Sequence, residues 1–179
     1  MPNWQPHLTG KLIELRPMEE VDFEPLFLVA SDPLIWEQHP DRHRYMRERF
    51  ERFFRSAMDS KGALIITDKT NGSVIGSSRY CNWDKGRNYI EVGFTFLARK
   101  YWARGYNDEL KILMLDHGFQ YVDVIGFYVG ENNFRSQKAV LKLGAIEVKR
   151  DSSHQVGGEI RSSVVYELNK QLWIAKRTG

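Results

Sequence analysis

The sequence predicts an α+β domain: a mixed central β-sheet with helices on both faces. Three observations predict it. Strand-like runs of β-branched and aromatic residues alternate with segments of helical period. The turn signals Asn71-Gly72 and Lys85-Gly86-Arg87-Asn88 separate three consecutive strand segments, which makes those strands antiparallel neighbours. A near-continuous apolar run, Val122 to Val129, follows a long helical segment, as a buried parallel strand does after a right-handed crossover.

Taken in order, Leu12 to Arg16 is a short strand stopped by Pro17, and Glu19 to Ala30 carries Val21, Phe23, Leu26, Phe27 and Val29 at mostly helical spacing. Pro33 and Pro40 punctuate the following loop. From Tyr45 to Met58 the apolar positions Met46, Phe50, Phe53, Phe54 and Ala57 mark one face of a second helix. Ala63 to Thr67, Val74 to Trp83 and Tyr89 to Leu97 are the three antiparallel strands. Along the last of these, period-2 alternation places Ile90, Val92, Phe94 and Phe96 on the core side and Glu91, Gly93 and Thr95 on the other. Gly105 to Tyr121 is a long helix, apolar on most sides and therefore buried. Asn133 to Leu143 is a further helix, with an asparagine cap at its start and Gly144 just past its end. Ile146 to Lys149 and Ile160 to Leu168 close the sheet as a hairpin around Gly157-Gly158.

The 179 residues make one domain with a real core, and 42% hydrophobic with 27% charged residues excludes a collagen, a disordered tail and a bare coiled coil. A single cysteine, Cys81, excludes a disulfide framework and a multi-cysteine zinc site. His39 and His43 are four apart, but Pro40 lies between them, so no metal site is expected. The formal net charge of +3 is too small to indicate a nucleic-acid binder. The opening Met1 to Pro6 has neither the basic nor the apolar region of a secretory signal, and no apolar run approaches the ~20 residues of a membrane span. A cytoplasmic location and no membrane partner are therefore expected.

Two segments carry chemistry. Ala98 to Asn107 joins a strand to a helix. Amides at a helix N-terminus are unpaired and favour an anion, Gly105 removes side-chain obstruction, and Arg99, Lys100 and Arg104 add positive charge. This is the chemistry of a pyrophosphate cradle, or of a basic loop with one turn glycine. Asn133 and Ser136, three apart at a helix start, are placed to cap the helix or to address one ligand.

Strand, Arg-Gly turn, long helix, strand, and an Asn-x-x-Ser helix ending in Lys142-Leu143-Gly144-Ala145 form an order that resembles the GCN5-related N-acetyltransferase (GNAT) superfamily. Within it the chain resembles the RimJ/RimL-like branch, through Leu8 to Pro17 at the start and Gly158 to Leu168 with Trp173 at the end. The likeness covers residues 9–173, one GNAT-like domain. It implies a splayed parallel strand pair in the sheet and acetyl-CoA as the acyl donor. It also implies transfer of an acetyl group to a primary amine, of a protein N-terminus or a small molecule, by direct attack on the thioester. The arm of the donor is expected against Phe96 and Leu97, and its pyrophosphate over Trp102, Ala103, Arg104, Gly105, Tyr106 and Asn107, with Asn133 and Ser136 close by. The chain keeps the central glycine of the family's turn signature and departs from it at both ends, at Trp102 and Asn107. Ala103 also stands where close relatives commonly have glycine.

Acetyl transfer needs a neutral amine and a proton for the departing thiolate. By resemblance Glu91 is the base. Ser136 and Tyr166 compete as the acid, with Tyr166 read more readily as a core residue whose hydroxyl is satisfied. The resemblance also allows a homodimer. Two rivals remain: a non-catalytic acyl-CoA-binding or regulatory module, and an RNA-binding domain using the arginine-rich helix from Arg42 to Arg55. The first predicts acetyl-CoA binding without thiol release. The second predicts affinity that falls steeply with salt. The interleaved Glu48 and Glu51 favour instead a helix face laced by i,i+4 ion pairs.

Overall fold

The computed structural model describes residues 1–156 and 159–178, with side chains described outside 153–161. The expected turn at Gly157-Gly158 therefore lies outside the described residues. Strands β1 (Leu8–Thr9) and β2 (Ile13–Pro17) open the chain, followed by α1 (Phe23–Ala30) and α2 (Arg47–Asp59). Strands β3 (Ala63–Asp68), β4 (Val74–Asp84) and β5 (Tyr89–Leu97) come next, and then α3 (Tyr106–Gly118), β6 (Val124–Gly130) and α4 (Phe134–Leu143). The chain ends with β7 (Ile146–Val156), β8 (Glu159–Asn169) and α5 (Lys170–Thr178).

Among the described residues the strands form one eight-stranded sheet in the order β1-β2-β3-β4-β5-β6-β8-β7. Strands β5 and β6 are parallel, as the crossover through α3 requires, and the other neighbours are antiparallel. Helices cover both faces. On one, α1 and α2 bury Leu26, Ala30, Phe50, Phe53, Phe54 and Ala57 against Ala63, Ile65 and Phe96. On the other, α3 and α4 bury Leu110, Met114, Leu115, Val140 and Leu143 against Ile90, Val92, Ile125 and Phe127. Each large apolar side chain so buried contributes roughly 1.5–3 kcal/mol.

The elements depart from the sequence pattern where pairing overrides it. Helix α2 starts at Arg47, and Met46 is its exposed N-cap rather than part of the buried face. Strand β7 continues past Lys149 through polar residues because β8 supplies its ladder. Helix α5 was not foreseen. It is anchored by buried Trp173, whose Nε1–H donates to Asp116 Oδ1 at 2.7 Å.

The main correction concerns β5. Ser77 pairs with Phe96 and Arg79 with Gly93, so one residue of β4, Ser78, faces two of β5, Phe94 and Thr95. That is a β-bulge, and Phe94 sits in it with φ +54°. The period-2 alternation breaks there. Ile90 and Val92 face α3 as expected, but Phe94 turns outward and Phe96 faces the α1–α2 side, 5.0 Å from the Trp36 ring. Thr95 moves to the α3 side, where its hydroxyl meets Lys111.

Candidate active site

Pairing between β5 and β6 covers Tyr89 to Glu91 against Val124 to Gly126 and stops there, while β6 continues to pair with β8 as far as Gly130. Beyond Glu91 the two parallel strands splay. A cavity of about 920 Å³ occupies the gap, walled by Val92 to Leu97 on one side and Phe127 to Gly130 on the other. It reaches both faces of the sheet. Asn107, Lys111, Ser136 and Val140 line it from α3 and α4, and Ser56, Asp59, Arg79 and Glu91 from the α2 side.

The turn after β5 leads into α3 with main-chain donors available. Gly105 is the N-cap at φ +85°, a left-handed conformation that favours glycine, and no side chain caps the helix. The first-turn amides have no intrahelical partners. Ala103 is also left-handed, at φ +55°, which explains a preference for glycine at this position. Trp102 is fixed by its Nε1–H, which donates to Leu97 O at 2.9 Å, and by the Arg135 guanidinium stacked 4.1 Å from its ring. Phe96, Leu97, Trp102, Ala103 and Asn107 line the cavity, whereas Arg104, Gly105 and Tyr106 stand outside its lining. Of the three cations in this turn, Arg99 is committed to an ion pair with Asp32, which corrects its expected share in the cradle's charge.

Asn133 and Ser136 both line the cavity. Asn133 caps α4, its Oδ1 accepting from the Ser136 N–H at 3.3 Å. Tyr166 is buried, outside the cavity lining, and its hydroxyl donates to Gln137 Oε1 at 3.3 Å, so it takes the core role.

Glu91 lies at the last paired position of the parallel strands, where the splay begins. Its side chain is 9% exposed and accepts a hydrogen bond from Asn82 Nδ2 at 2.9 Å. Burial holds its carboxyl above the ordinary carboxylate range, against the lowering effect of the Asn82 bond. A carboxylate so raised, lining a cavity, suits a proton acceptor better than a solvated strand residue would. Neighbouring Cys81 is no nucleophile, because burial pushes its thiol up to about 12.

Two cations of the cavity were missed in the sequence. Lys111 is 6% exposed and reaches Thr95 Oγ1 at 2.8 Å. Arg79, 4% exposed, donates from Nη1 to Ser56 O and Oγ, both at 3.2 Å, and stacks 4.1 Å from the Phe94 ring. Burial lowers the Arg79 guanidinium to about 10. The available signal was a charge inside an otherwise apolar segment, such as Lys111 between Leu110 and Ile112.

The arginines of α2 and the loop before it are largely spent within the fold. Arg47 pairs with Glu24 and Arg55 with Glu51. Arg44, expected on an outer face, is instead buried over the rings of Trp36 and Phe53, with its Nε 3.6 Å from Asp41. His117 Nε2 bonds to Asn3 O at 2.7 Å, as a satisfied core histidine does. Among the described residues no cluster of His, Cys, Asp or Glu is placed to hold a metal ion, and no helix is long and apolar enough to cross a membrane.

Residues 13–146 match the acetyltransferase (GNAT) domain. The chain belongs to this family. The acetyltransferase is also similar in fold to several solved structures. A GCN5-related N-acetyltransferase from Brucella melitensis matches at 18% identity and a TM-score of 0.84, over 97% of this chain and 83% of that one. RimJ from Mycobacterium smegmatis, in complex with CoA-disulfide, matches at 17% identity and a TM-score of 0.74, over 95% and 90% of the two chains. A chimera of the Vibrio cholerae spermidine N-acetyltransferase SpeG with hSSAT matches at 14% identity and a TM-score of 0.70, over 92% and 99%. The acetyltransferase is therefore an acyl-transferring enzyme with a mixed sheet and one splayed parallel pair.

Proposed function

We propose that the enzyme transfers the acetyl group of acetyl-CoA to a primary amine, of a protein N-terminus or a small molecule, in the manner of the RimJ/RimL-like branch and in the cytoplasm. The observation that carries this is the through-sheet cavity: uncapped α3 amides lie at one end of its wall and a buried carboxylate on the opposite face. The working domain is taken as residues 9–173, which adds Trp173 and the β7–β8 hairpin to the matched region.

The chain's residues fit the donor. Its arm runs along Phe96 and Leu97 in the gap. Its pyrophosphate rests on the main-chain amides of the Trp102–Asn107 turn, whose donors survive the departures from the family signature because they are backbone groups. Asn133 fixes the start of α4 and so holds Ser136 at the cavity wall. Bound there, acetyl-CoA supplies an activated acyl carbon. The amine enters from the α2 side, and Glu91 takes its proton, directly or through one water, as the nitrogen attacks. A protein α-amine, with a pKa near ~7.7, needs this help less than a lysine-type amine near ~10.4.

Two measurements test the reading. Acetyl-CoA should raise the melting temperature in proportion to the logarithm of its concentration. A panel of amines should then release free thiol with at least one member. An unchanged melting temperature at millimolar acetyl-CoA overturns the donor assignment. Binding without thiol release across protein N-terminal peptides, polyamines and amino acids overturns the acceptor assignment.

A further inference from the structure

Lys111 is an ammonium buried inside the cavity, and its one hydrogen bond among the described residues goes to Thr95 Oγ1 at 2.8 Å. Two of its three N–H donors are left for a ligand. The position is constructed rather than incidental. Asn107 and Lys111 are one helical turn apart and both line the cavity, while Leu110 and Met114 beside them enter the core. The bulge at Phe94 turns Thr95 to this side of the sheet, and Ser78 Oγ, 2.7 Å from Thr95 Oγ1, holds the threonine hydroxyl in place. The charged side chain nearest in function, Glu91, is bonded to Asn82 on the α2 face and does not neutralise it.

A buried charge without a counter-charge is costly, and a leucine here would avoid the cost. The cation makes sense if the reaction itself brings an anion to it. The donor's phosphates belong at the turn six residues earlier, about 9 Å along the helix. The acyl end that reaches Thr95 and Lys111 is neutral before transfer. Negative charge arises there only during transfer, first on the carbonyl oxygen of the tetrahedral adduct and then on sulfur as the carbon–sulfur bond breaks. An interaction that exists only at that stage lowers the barrier rather than tightening substrate binding.

We propose that Lys111 is the proton donor to the departing CoA thiolate, an assignment that rests on the acetyl-CoA reading above. As the tetrahedral adduct collapses, the carbon–sulfur bond breaks and its electron pair goes to sulfur. An N–H proton of the Lys111 ammonium passes to that sulfur, leaving neutral Lys111 and the free thiol of CoA. The amine's own proton leaves through Glu91, and Lys111 is recharged from solvent, so the cycle balances. Burial lowers the Lys111 ammonium to about 8, close to the value of an ordinary thiol, so the transfer is nearly level in energy. Of the two residues named from the sequence, Tyr166 is committed to Gln137, and Ser136 stays at the wall as a neutral neighbour.

The test titrates the thiol of CoA bound to the full-length protein by its ultraviolet thiolate absorbance, after a thermal-shift titration has established saturation with CoA. In the wild type the bound thiol should lose its proton about one unit or more below the free thiol. Lys111→Arg should keep that depression yet slow thiol release from acetyl-CoA, because a guanidinium does not give up its proton. An undiminished rate in that variant would overturn proton donation. Lys111→Met should return the thiol to its free value with CoA still bound. No depression in the wild type overturns the proposal without reference to any variant, and equal depression in Lys111→Met overturns it too. Failure of the wild type to bind CoA at all overturns the donor assignment instead.

Discussion

The two ends of the cavity are built from different materials. At the α3 turn the useful groups are main-chain amides, set by the left-handed Gly105 and the absence of a capping side chain. In the splay the groups proposed to act are buried side chains, Glu91 and Lys111, with burial moving the first up and the second down. A backbone site tolerates substitution around it as long as the chain keeps its path, and the proposed cradle would keep its donors with Trp102 and Asn107 at its ends. A side-chain site depends on each atom and on the dryness of its surroundings. The comparison teaches that loss of function should be steep in the splay and graded at the turn.

The largest expected effect tests the splay. Glu91→Gln should lower kcat/KM for a lysine-type amine by roughly 10²–10⁴-fold, and much less for an α-amine that is already partly neutral. Steady-state rates with both acceptors measure the difference, and full activity on the lysine-type amine would remove Glu91 from the base role. The same substitution should stabilise the fold at neutral pH. A carboxyl raised in the folded state contributes stability that is present below its unfolded value near 4.5 and lost as pH rises through the folded value. Glutamine is spared that loss, so the variant's advantage should grow across that window in denaturant melts.

Next in size is the turn. Gly105→Val should weaken acetyl-CoA binding by roughly tenfold or more, through a β-branched residue forced to positive φ where the pyrophosphate approaches. An added Cβ meets nothing nearer than Leu12 Cδ1 at 3.7 Å, so the protein itself leaves room for it. Calorimetric titration beside a thermal melt separates the two effects, and equal loss of folding and binding would make Gly105 only structural.

A third expectation concerns the cost of the buried cation. Lys111→Met should gain stability on the order of a few kcal/mol at pH 7. Lys111 is lowered from 10.5 to about 8, so its charge opposes folding fully below pH 8 and progressively less up to 10.5. The gain should therefore shrink over that interval and vanish above it, as urea melts at pH 7 and above 10.5 would register. A constant gain would mean that packing, not charge, accounts for it. The smallest effect belongs to Ala103→Gly, which relieves a left-handed alanine at φ +55°. Strain relief outweighs the added chain entropy by roughly half a kcal/mol, with acetyl-CoA affinity kept. A lower melting temperature would contradict that account of the turn.

Much of the candidate site could be read in the chain. Gly105, Asn133 and the strands on either side of the long helix follow from local rules of capping, turns and hydrophobic period, which neighbours in sequence suffice to specify. Glu91 was legible as a carboxylate on the strand beside the gap, but its burial was not, because that depends on Asn82 across the sheet. Arg44 shows the same limit. Its place in an arginine-rich segment suggested an outer face, while Trp36 and Phe53 from other elements enclose it.

The sequence by itself determined the order of strands and helices from β2 to β8, the parallel crossover through α3 and the turn that opens that helix, since each is encoded by periodicity or by the backbone preference of one or two residues. Only the tertiary structure decided the bulge at Phe94, because a bulge is a mismatch between two strands and exists only once β4 and β5 are paired. That mismatch sends Phe96 to one face and Thr95 to the other, and Thr95 then receives Lys111. A lysine in an apolar helix has no fixed meaning until the fold decides whether its amine meets water, a carboxylate or, as here, a threonine hydroxyl in the gap between two strands. Here the splay of β5 from β6 supplies the gap, and burial there gives the amine its altered acidity.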